Sequence, residues 1–211
     1  MGQQHNHPIF FIHSDHGEAD VEETFTYDVY GDVISKTLKV NAYGDETYVY
    51  GGKNQRVLKQ SWRGNSPNTA KLYIRGMNSY PLLEKTRDAN NGESEVLYIY
   101  GPGGLLAMVK NNQQLYYVLK DHEGSSRVVI DVSGDRHPVA ASYDYMPFGN
   151  LLRTTGDETI LSYRYTGQEY EPETGLYNYR ARLYDSTLGR FYTIDPAGQF
   201  FSPYLYVRPV S

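Results

Sequence analysis

The chain has 211 residues, a formal charge of −5, 22 tyrosines against 7 phenylalanines and 1 tryptophan, and no cysteine. Disulfides, thiolate metal sites and a cysteine nucleophile are therefore excluded, and the acidic balance argues against a reader of nucleic-acid backbones, which needs a basic surface. No run approaches the roughly eighteen apolar residues of a membrane-spanning helix, and 20 glycines with 10 prolines point to many turns between strands that are packed on one side and wet on the other.

Residues 1–24 form a first segment, in which Ile9-Phe-Phe-Ile12 reads as a strand followed by an acidic loop. The start lacks an apolar signal core and a myristoylation site. His5, His7, His13 and His16 lie close in sequence to Asp15, Glu18 and Asp20. Such side chains suit zinc, but a closed site needs rigid flanking structure. They are read as polar turn residues, and no metal or other cofactor is predicted.

Residues 25–162 repeat one pattern: an aromatic strand, a turn with glycine, and a second apolar strand. The clearest units are Phe25 to Lys36, Tyr48 to Leu58, Tyr98 to Val109, Tyr116 to Ile130 and Tyr143 to Leu152, with a weaker one from Leu72 to Leu83. Tyr163-Arg-Tyr-Thr-Gly167 reads as a further short unit. A step of about 22 residues holds two strands of five or six residues and their turns, the size of one β-hairpin. Glycine after each aromatic strand supplies positive φ, and an Asp such as Asp28 or Asp185 can accept hydrogen bonds from its own turn backbone. In this reading tyrosine packs the pleated face and aspartate starts the reversal. Gly64 to Asn68 and Ala89 to Glu93 read as loop tips, and repeats of this kind favour one domain. Gly101-Pro-Gly-Gly104 is a hairpin turn rather than a phosphate loop, because strand-like Leu105 to Val109 follows it in place of a helix. His122 and His137 read as turn residues, and no serine-hydrolase elbow is present.

Residues 163–211 form the last segment. Within it Tyr170 to Leu176 contains a short turn, and Tyr177-Asn-Tyr-Arg-Ala-Arg-Leu-Tyr184 alternates as a strand. The stretch Tyr165-Thr-Gly-Gln-Glu-Tyr-Glu-Pro-Glu-Thr-Gly-Leu-Tyr-Asn-Tyr-Arg-Ala-Arg-Leu-Tyr-Asp-Ser-Thr-Leu-Gly-Arg-Phe-Tyr-Thr-Ile-Asp-Pro-Ala-Gly198 closely resembles the C-terminal signature of the Rhs/YD-repeat core family. Asp121-His-Glu-Gly-Ser-Ser-Arg127 resembles that family's Asp-His-Leu-Gly-Ser-Thr-Arg hairpin, and Tyr143 to Leu152 its Tyr-Asp-x-Phe-Gly unit.

The resemblance implies an all-β fold: a YD-repeat hairpin ribbon, curved or spiralling, that forms part of a shell. Its motif residues are Tyr27, Asp28, Gly31, Asp121, His122, Gly124, Tyr143, Asp144, Gly149, Gly167, Gly175, Tyr184, Asp185, Gly189, Pro196 and Gly198. Many bacterial members of the family cut themselves after a second Asp-Pro-x-Gly motif. Asp195-Pro-Ala-Gly198 matches the first such motif only: where the family usually continues Tyr-x-Gly-Asn-Asn-Pro the sequence has Tyr206-Val-Arg-Pro, and it stops at Arg208-Pro-Val-Ser211 without the second motif. The resemblance makes Asp195 the candidate catalytic group, with Arg182 or Arg190 to hold its charge. The alternative is an aspartate in a turn before proline.

Fourteen strands at ~4.8 Å, each about 23 Å long, give on the order of 1,500 Å² of wall. A cargo of about 100 residues needs roughly 4,000–6,000 Å². The expected function is thus a structural module, without multiple-turnover catalysis, that encloses, caps or docks another polypeptide: a longer Rhs shell, a toxin cargo, or a second copy joined through sheet edges. Nucleic acid and membrane insertion are not expected as partners. Two alternatives stand beside it, a teneurin-like extracellular recognition surface and a residual aspartyl self-cleavage half-site. The resemblance also implies a secreted or extracellular protein, by a route the sequence does not reveal.

Overall fold

A computed structural model describes residues 6–7, 21–27, 33–40, 44–51, 55–63, 66–76, 80–180, 182–192 and 206, with side chains described from Glu46 onward. The described residues are strands, turns and two single-turn 3-10 segments, Glu158–Ile160 and Tyr165–Gly167. The strands are β1 (Asn6–His7), β2 (Val21–Tyr27), β3 (Val33–Val40), β4 (Gly44–Gly51), β5 (Gln55–Arg63), β6 (Ser66–Arg75), β7 (Pro81–Asp88), β8 (Gly92–Gly101), β9 (Gly104–Lys110), β10 (Gln114–Lys120), β11 (Ser126–Asp131), β12 (Val139–Tyr145) and β13 (Leu151–Gly156). They are followed by β14 (Glu169–Glu171), β15 (Leu176–Tyr179), β16 (Arg182–Asp185) and β17 (Arg190–Phe191). Hydrogen bonding follows chain order from β1 to β13 without a crossover, and β14 to β17 form a separate four-stranded sheet. This is the all-β hairpin ribbon that the alternating tyrosine strands predict. No helix among the described residues is long and apolar enough to cross a membrane.

One device recurs at the turn end of the hairpins. The register slips between Thr26 and Tyr27, Val49 and Tyr50, Ile74 and Arg75, Leu119 and Lys120, and Asp144 and Tyr145. At each slip one step along the even-numbered strand faces two along the strand that follows the turn, so the extra residue (Ile34, Val57, Leu82, Arg127 or Leu152) sits in an odd-numbered strand just after the chain reverses. An extra residue there bends the strand and raises its right-handed twist, so the repeat encodes curvature as well as pairing.

Contact density divides the chain into two units, Met1–Leu97 and Tyr98–Ser211. In the first, the buried face carries Tyr48, Tyr50 and Tyr73 together with Glu46, Arg56, Lys59 and Glu84. Lys59 Nζ lies 3.3 Å from Glu46 Oε1, and Lys71 Nζ 3.3 Å from Glu84 Oε2. The Arg56 guanidinium stands 3.9 Å over the Tyr48 ring, and the Tyr48 hydroxyl donates to Glu46. Buried charges are tolerated because each has an opposite charge or an aromatic face beside it. In the second unit Tyr98, Met108, Tyr116, Val129 and Tyr143 fill the corresponding face.

The structure corrects the sequence reading at four places. Tyr177 to Tyr184 is not one strand: it breaks at Arg180, whose φ is 66°, and folds back so that Tyr177 pairs with Tyr184 and Tyr179 with Arg182. Ser66 to Asn68, expected in a loop tip, belong to β6, which begins at Ser66 and pairs there with Arg63, while Gly64 and Asn65 lie outside the described residues. The glycine after an aromatic strand is not always the left-handed one: Gly101 ends β8 in extended form, and φ turns positive, 93°, at Gly104. Tyr163 to Gly167 forms no hairpin strand, because Thr166 (φ 47°) and Gly167 (φ 71°) are both left-handed and wind the chain into a 3-10 turn. The expected strand Ile9 to Ile12 lies outside the described residues.

Candidate functional site

The densest chemistry lies in the second unit, where the C-terminal sheet meets the turn after β12. Met146 N donates to Asn150 O and Gly149 N to Met146 O, both at 2.8 Å, closing a tight loop with Gly149 at φ 88°. Three tyrosine hydroxyls converge on it. Tyr165 donates to Pro147 O at 3.0 Å, Tyr184 to Phe148 O at 2.9 Å and Tyr177 to Gly149 O at 3.1 Å. Three consecutive carbonyls of one turn are thus satisfied by three different elements, the Tyr165–Gly167 segment, β16 and β15. The cross-strand register of β15 and β16 places Tyr177 directly opposite Tyr184, which is why both reach the same loop.

The rings behind these hydroxyls form one cluster of Tyr165, Tyr177, Tyr184 and Phe191, flanked by Tyr145, Tyr170, Tyr179 and Tyr206. Ring centroids lie 6.1 Å apart for Tyr165 and Tyr177, 5.6 Å for Tyr145 and Tyr165, and 4.4 Å for Tyr184 and Tyr206, in tilted arrangements. Edge-biased packing of this kind adds to the burial of apolar surface. Two glycines permit the approach. A Cβ on Gly149 would stand 2.3 Å from the Tyr165 ring, and one on Gly189 would stand 3.2 Å from Phe148 Cγ.

A second contact fixes Tyr165. Asp121 Oδ1 accepts from Glu123 N and Ser125 N, with Gly124 at φ 83°, and Arg127 Nε lies 3.5 Å from Asp121 Oδ2. The loop so formed presents Ser125 Oγ to Thr166 N at 2.9 Å and Ser126 Oγ to Tyr163 O at 2.8 Å. Tyr145 OH closes the circuit by donating to Ser126 O. Below it the buried Arg164 donates to Leu161 O and Glu158 O and stands 4.5 Å from the Tyr170 ring centroid.

Burial keeps these phenols protonated. Desolvation pushes Tyr143 and Tyr165 up to about 12, the neighbouring Tyr206 adding to the effect at Tyr165. It raises Tyr145, Tyr177, Tyr179, Tyr184 and Tyr192 further still. A phenol held neutral donates hydrogen bonds and is a poor base, so the cluster is built to hold structure.

The motif residues fall into three groups. Gly149, Tyr184 and Gly189 meet around the clamped turn, while Gly167 ends the 3-10 segment that begins at Tyr165 and Tyr143 donates to Glu158 O. Asp185 sits at the next turn, where its Oδ1 accepts from Thr187 N and Leu188 N and its Oδ2 from Tyr192 OH at 2.8 Å. The others lie apart: Asp144 faces solvent in a 2.6 Å ion pair with Arg153, His122 is exposed, and Gly175 closes the turn before β15 by donating to Glu171 O. The Arg182 guanidinium lies 3.5 Å over the Phe191 ring, and Arg190 is exposed opposite Asp185. Asp195, Pro196 and Gly198, the centre of the expected self-cleavage motif, lie outside the described residues, as do Asp28 and Gly31; Tyr27 is described only as the backbone end of β2. The side chains of His5, His7, His13 and His16 also lie outside them, and among the described residues no three His, Asp or Glu side chains gather around a metal-sized space. Sequence reasoning did not single out Tyr165 and Tyr177 as site residues, although both stand in the C-terminal signature. Ser125 and Ser126 stand in the Asp121 to Arg127 motif, but the sequence does not show their distant partners, Thr166 N and Tyr163 O; nor does it single out Arg164, whose partners Glu158 O and Leu161 O are nearby carbonyls.

The Teneurin YD-shell family model matches residues 10–202. Salivary gland surface protein 1 of Aedes aegypti is 45% identical over 174 residues, which are 77% of this chain and 5% of that protein. The tRNA3(Ser)-specific nuclease WapA of Bacillus spizizenii is 32% identical over 84% of this chain and 7% of its own length. The crystal structure of TcdB2-TccC3 superposes with a TM-score of 0.62 at 25% identity, over 88% of this chain and 10% of that one. The chain therefore spans only a small part of each relative.

Proposed function

The chain belongs to the teneurin YD-shell family and is a structural shell module, and from that premise we propose that it encloses, caps or docks a partner polypeptide. The observation that carries the reading is the triple hydroxyl clamp on Pro147, Phe148 and Gly149. It fastens a separate four-stranded sheet to the turn between β12 and β13, so that the ordered run of hairpins finishes in a fixed cap rather than a loose end. Strand β13 pairs with β12 alone in the strand order, which leaves one side of its backbone for another strand.

In this proposal the chain performs no multiple-turnover catalysis. Arg182 acts by stacking on Phe191, and Arg190 belongs to a strand end. Asp195 would act on a peptide only where a second Asp-Pro-x-Gly segment is presented to it. The nuclease named among the relatives is far longer than this chain, and its activity is not carried over. A secreted or extracellular location fits the family.

Co-expression with a longer YD-shell polypeptide, followed by affinity capture and sedimentation, tests the proposal. A stable complex is the expected result. A chain that stays strictly monomeric at tens of micromolar and captures no YD-shell polypeptide would overturn it.

A further inference from the structure

The first unit wears its faces the unexpected way round. Tyrosines and charges are buried, while the opposite face is aliphatic and open. On β6, Tyr73 is 3% exposed, whereas its neighbours Leu72 and Ile74 are each 43% exposed. In-register partners share a face, and the register joins these residues into two rows. Val49, Leu58 and Leu72 line up across β4, β5 and β6, and Ile74, Leu83 and Leu97 across β6, β7 and β8. Val49 at 40% and Leu97 at 41% are as open as the pair on β6. The rows share β6 and so form one diagonal stripe over five strands. Beyond Leu72 the row continues into Lys85 and Glu95, which pair with each other at 3.4 Å and leave the rim without net charge.

We infer that this stripe is a docking groove for a short, extended, aliphatic segment of the partner polypeptide; the inference rests on the shell reading and names the chemistry of what the shell contacts. Four strand spacings of ~4.8 Å and one residue pair of ~6.8 Å make the stripe about 20 Å long, the span of roughly six extended residues. An extended segment running along the stripe turns every second side chain to it, one every ~6.8 Å, so about three side chains of the segment meet the aliphatic rows. At ~10 Å wide the stripe offers on the order of 200 Å², well short of the roughly 800 Å² per partner of a stable pair of folded proteins. Its size therefore fits a peptide segment and not a second copy of the chain. Its neutral rim gives no preference for a charged ligand, so binding is insensitive to salt.

The test uses the full chain and a fluorescein-labelled nonapeptide that alternates Leu or Val with Ser between terminal lysines, read by fluorescence anisotropy. A control peptide has Asn at the apolar positions. The expected result is saturable binding of the aliphatic peptide only, unchanged by added sodium chloride and weakened on the order of tenfold by Leu72→Ser with Ile74→Ser. The milder pair Val49→Thr with Leu97→Thr guards against a variant that fails to fold, with far-ultraviolet circular dichroism as the check. Equal binding by folded variants overturns the inference, as does a concentration-dependent dimer of the wild type that these substitutions abolish, since that would assign the stripe to a second copy. Capture of a longer YD-shell polypeptide reports separately on the shell reading, because a complex formed through the β13 edge survives all four substitutions.

Discussion

The Tyr177 hydroxyl donates to the carbonyl oxygen of Gly149 at 3.1 Å, joining β15 to a turn that lies far back along the chain. Both ends of this bond are removed from water, since Tyr177 and Gly149 are buried. Replacing Tyr177 with Phe keeps the ring in the cluster and leaves the carbonyl without its donor. The expected loss is about 1–3 kcal/mol, the cost of an unsatisfied buried acceptor. Chemical denaturation followed by circular dichroism measures it, and a variant as stable as the parent would show that water replaces the hydroxyl.

Gly149 and Gly92 form a matched pair for separating backbone strain from crowding. Both have positive φ, 88° and 79°, but a Cβ on Gly149 meets the Tyr165 ring while one on Gly92 meets nothing within 4 Å. Gly92→Ala is expected to cost about 1 kcal/mol, the left-handed penalty alone. Gly149→Ala adds overpacking and is expected to cost about 2–4 kcal/mol. Equal costs in parallel unfolding curves would mean that the Tyr165 ring yields freely and the clamp is soft.

The hairpin ribbon was legible because its signals are local: aromatic residues alternate at period two, and turn residues punctuate them. What the sequence hid depends on register between strands. Nothing near Glu46 announces that Lys59 will sit against it, and a charged row opposite an aliphatic one reads the same whichever face is buried. The bulges after these turns were hidden for the same reason, since an extra residue is visible only against its partner strand. Tyr165 was misjudged as part of a hairpin because Thr166 is not a residue that usually takes positive φ. Its amide is held there by Ser125 Oγ, a contact between distant segments. The apparent single strand from Tyr177 to Tyr184 failed similarly at Arg180, where alternation continues straight through a reversal.

Asp185 ties one turn together through both oxygens, accepting from Thr187 N and Leu188 N at Oδ1 and from Tyr192 OH at Oδ2. Asp185→Ala removes all three acceptor contacts from a buried position, with an expected cost of about 2–3 kcal/mol. Asp185→Asn keeps the acceptor that serves the backbone amides and can donate to the Tyr192 oxygen instead, so it is expected to lose less than half as much. Thermal unfolding of the two variants side by side gives the ratio. Equal losses would point to the negative charge, not the acceptor geometry, as the stabilising feature.

Alkaline titration tests the cluster as a whole. The phenols of Tyr143 and Tyr165 are pushed from 10.0 up to about 12 in the folded chain, chiefly by loss of solvent. Below pH 10 both folded and unfolded chains keep these protons, and the stabilisation is fully present. Between 10 and about 12 the unfolded chain gives them up while the folded chain holds them, so stability falls as pH rises. Tyr145, Tyr177, Tyr179 and Tyr184, raised further, steepen the fall. The buried set should therefore gain tyrosinate absorbance only in a cooperative step that coincides with loss of the near-ultraviolet dichroism. A single smooth titration of all 22 tyrosines near pH 10, with the dichroism intact, would mean that the hydroxyls of the clamp are open to solvent.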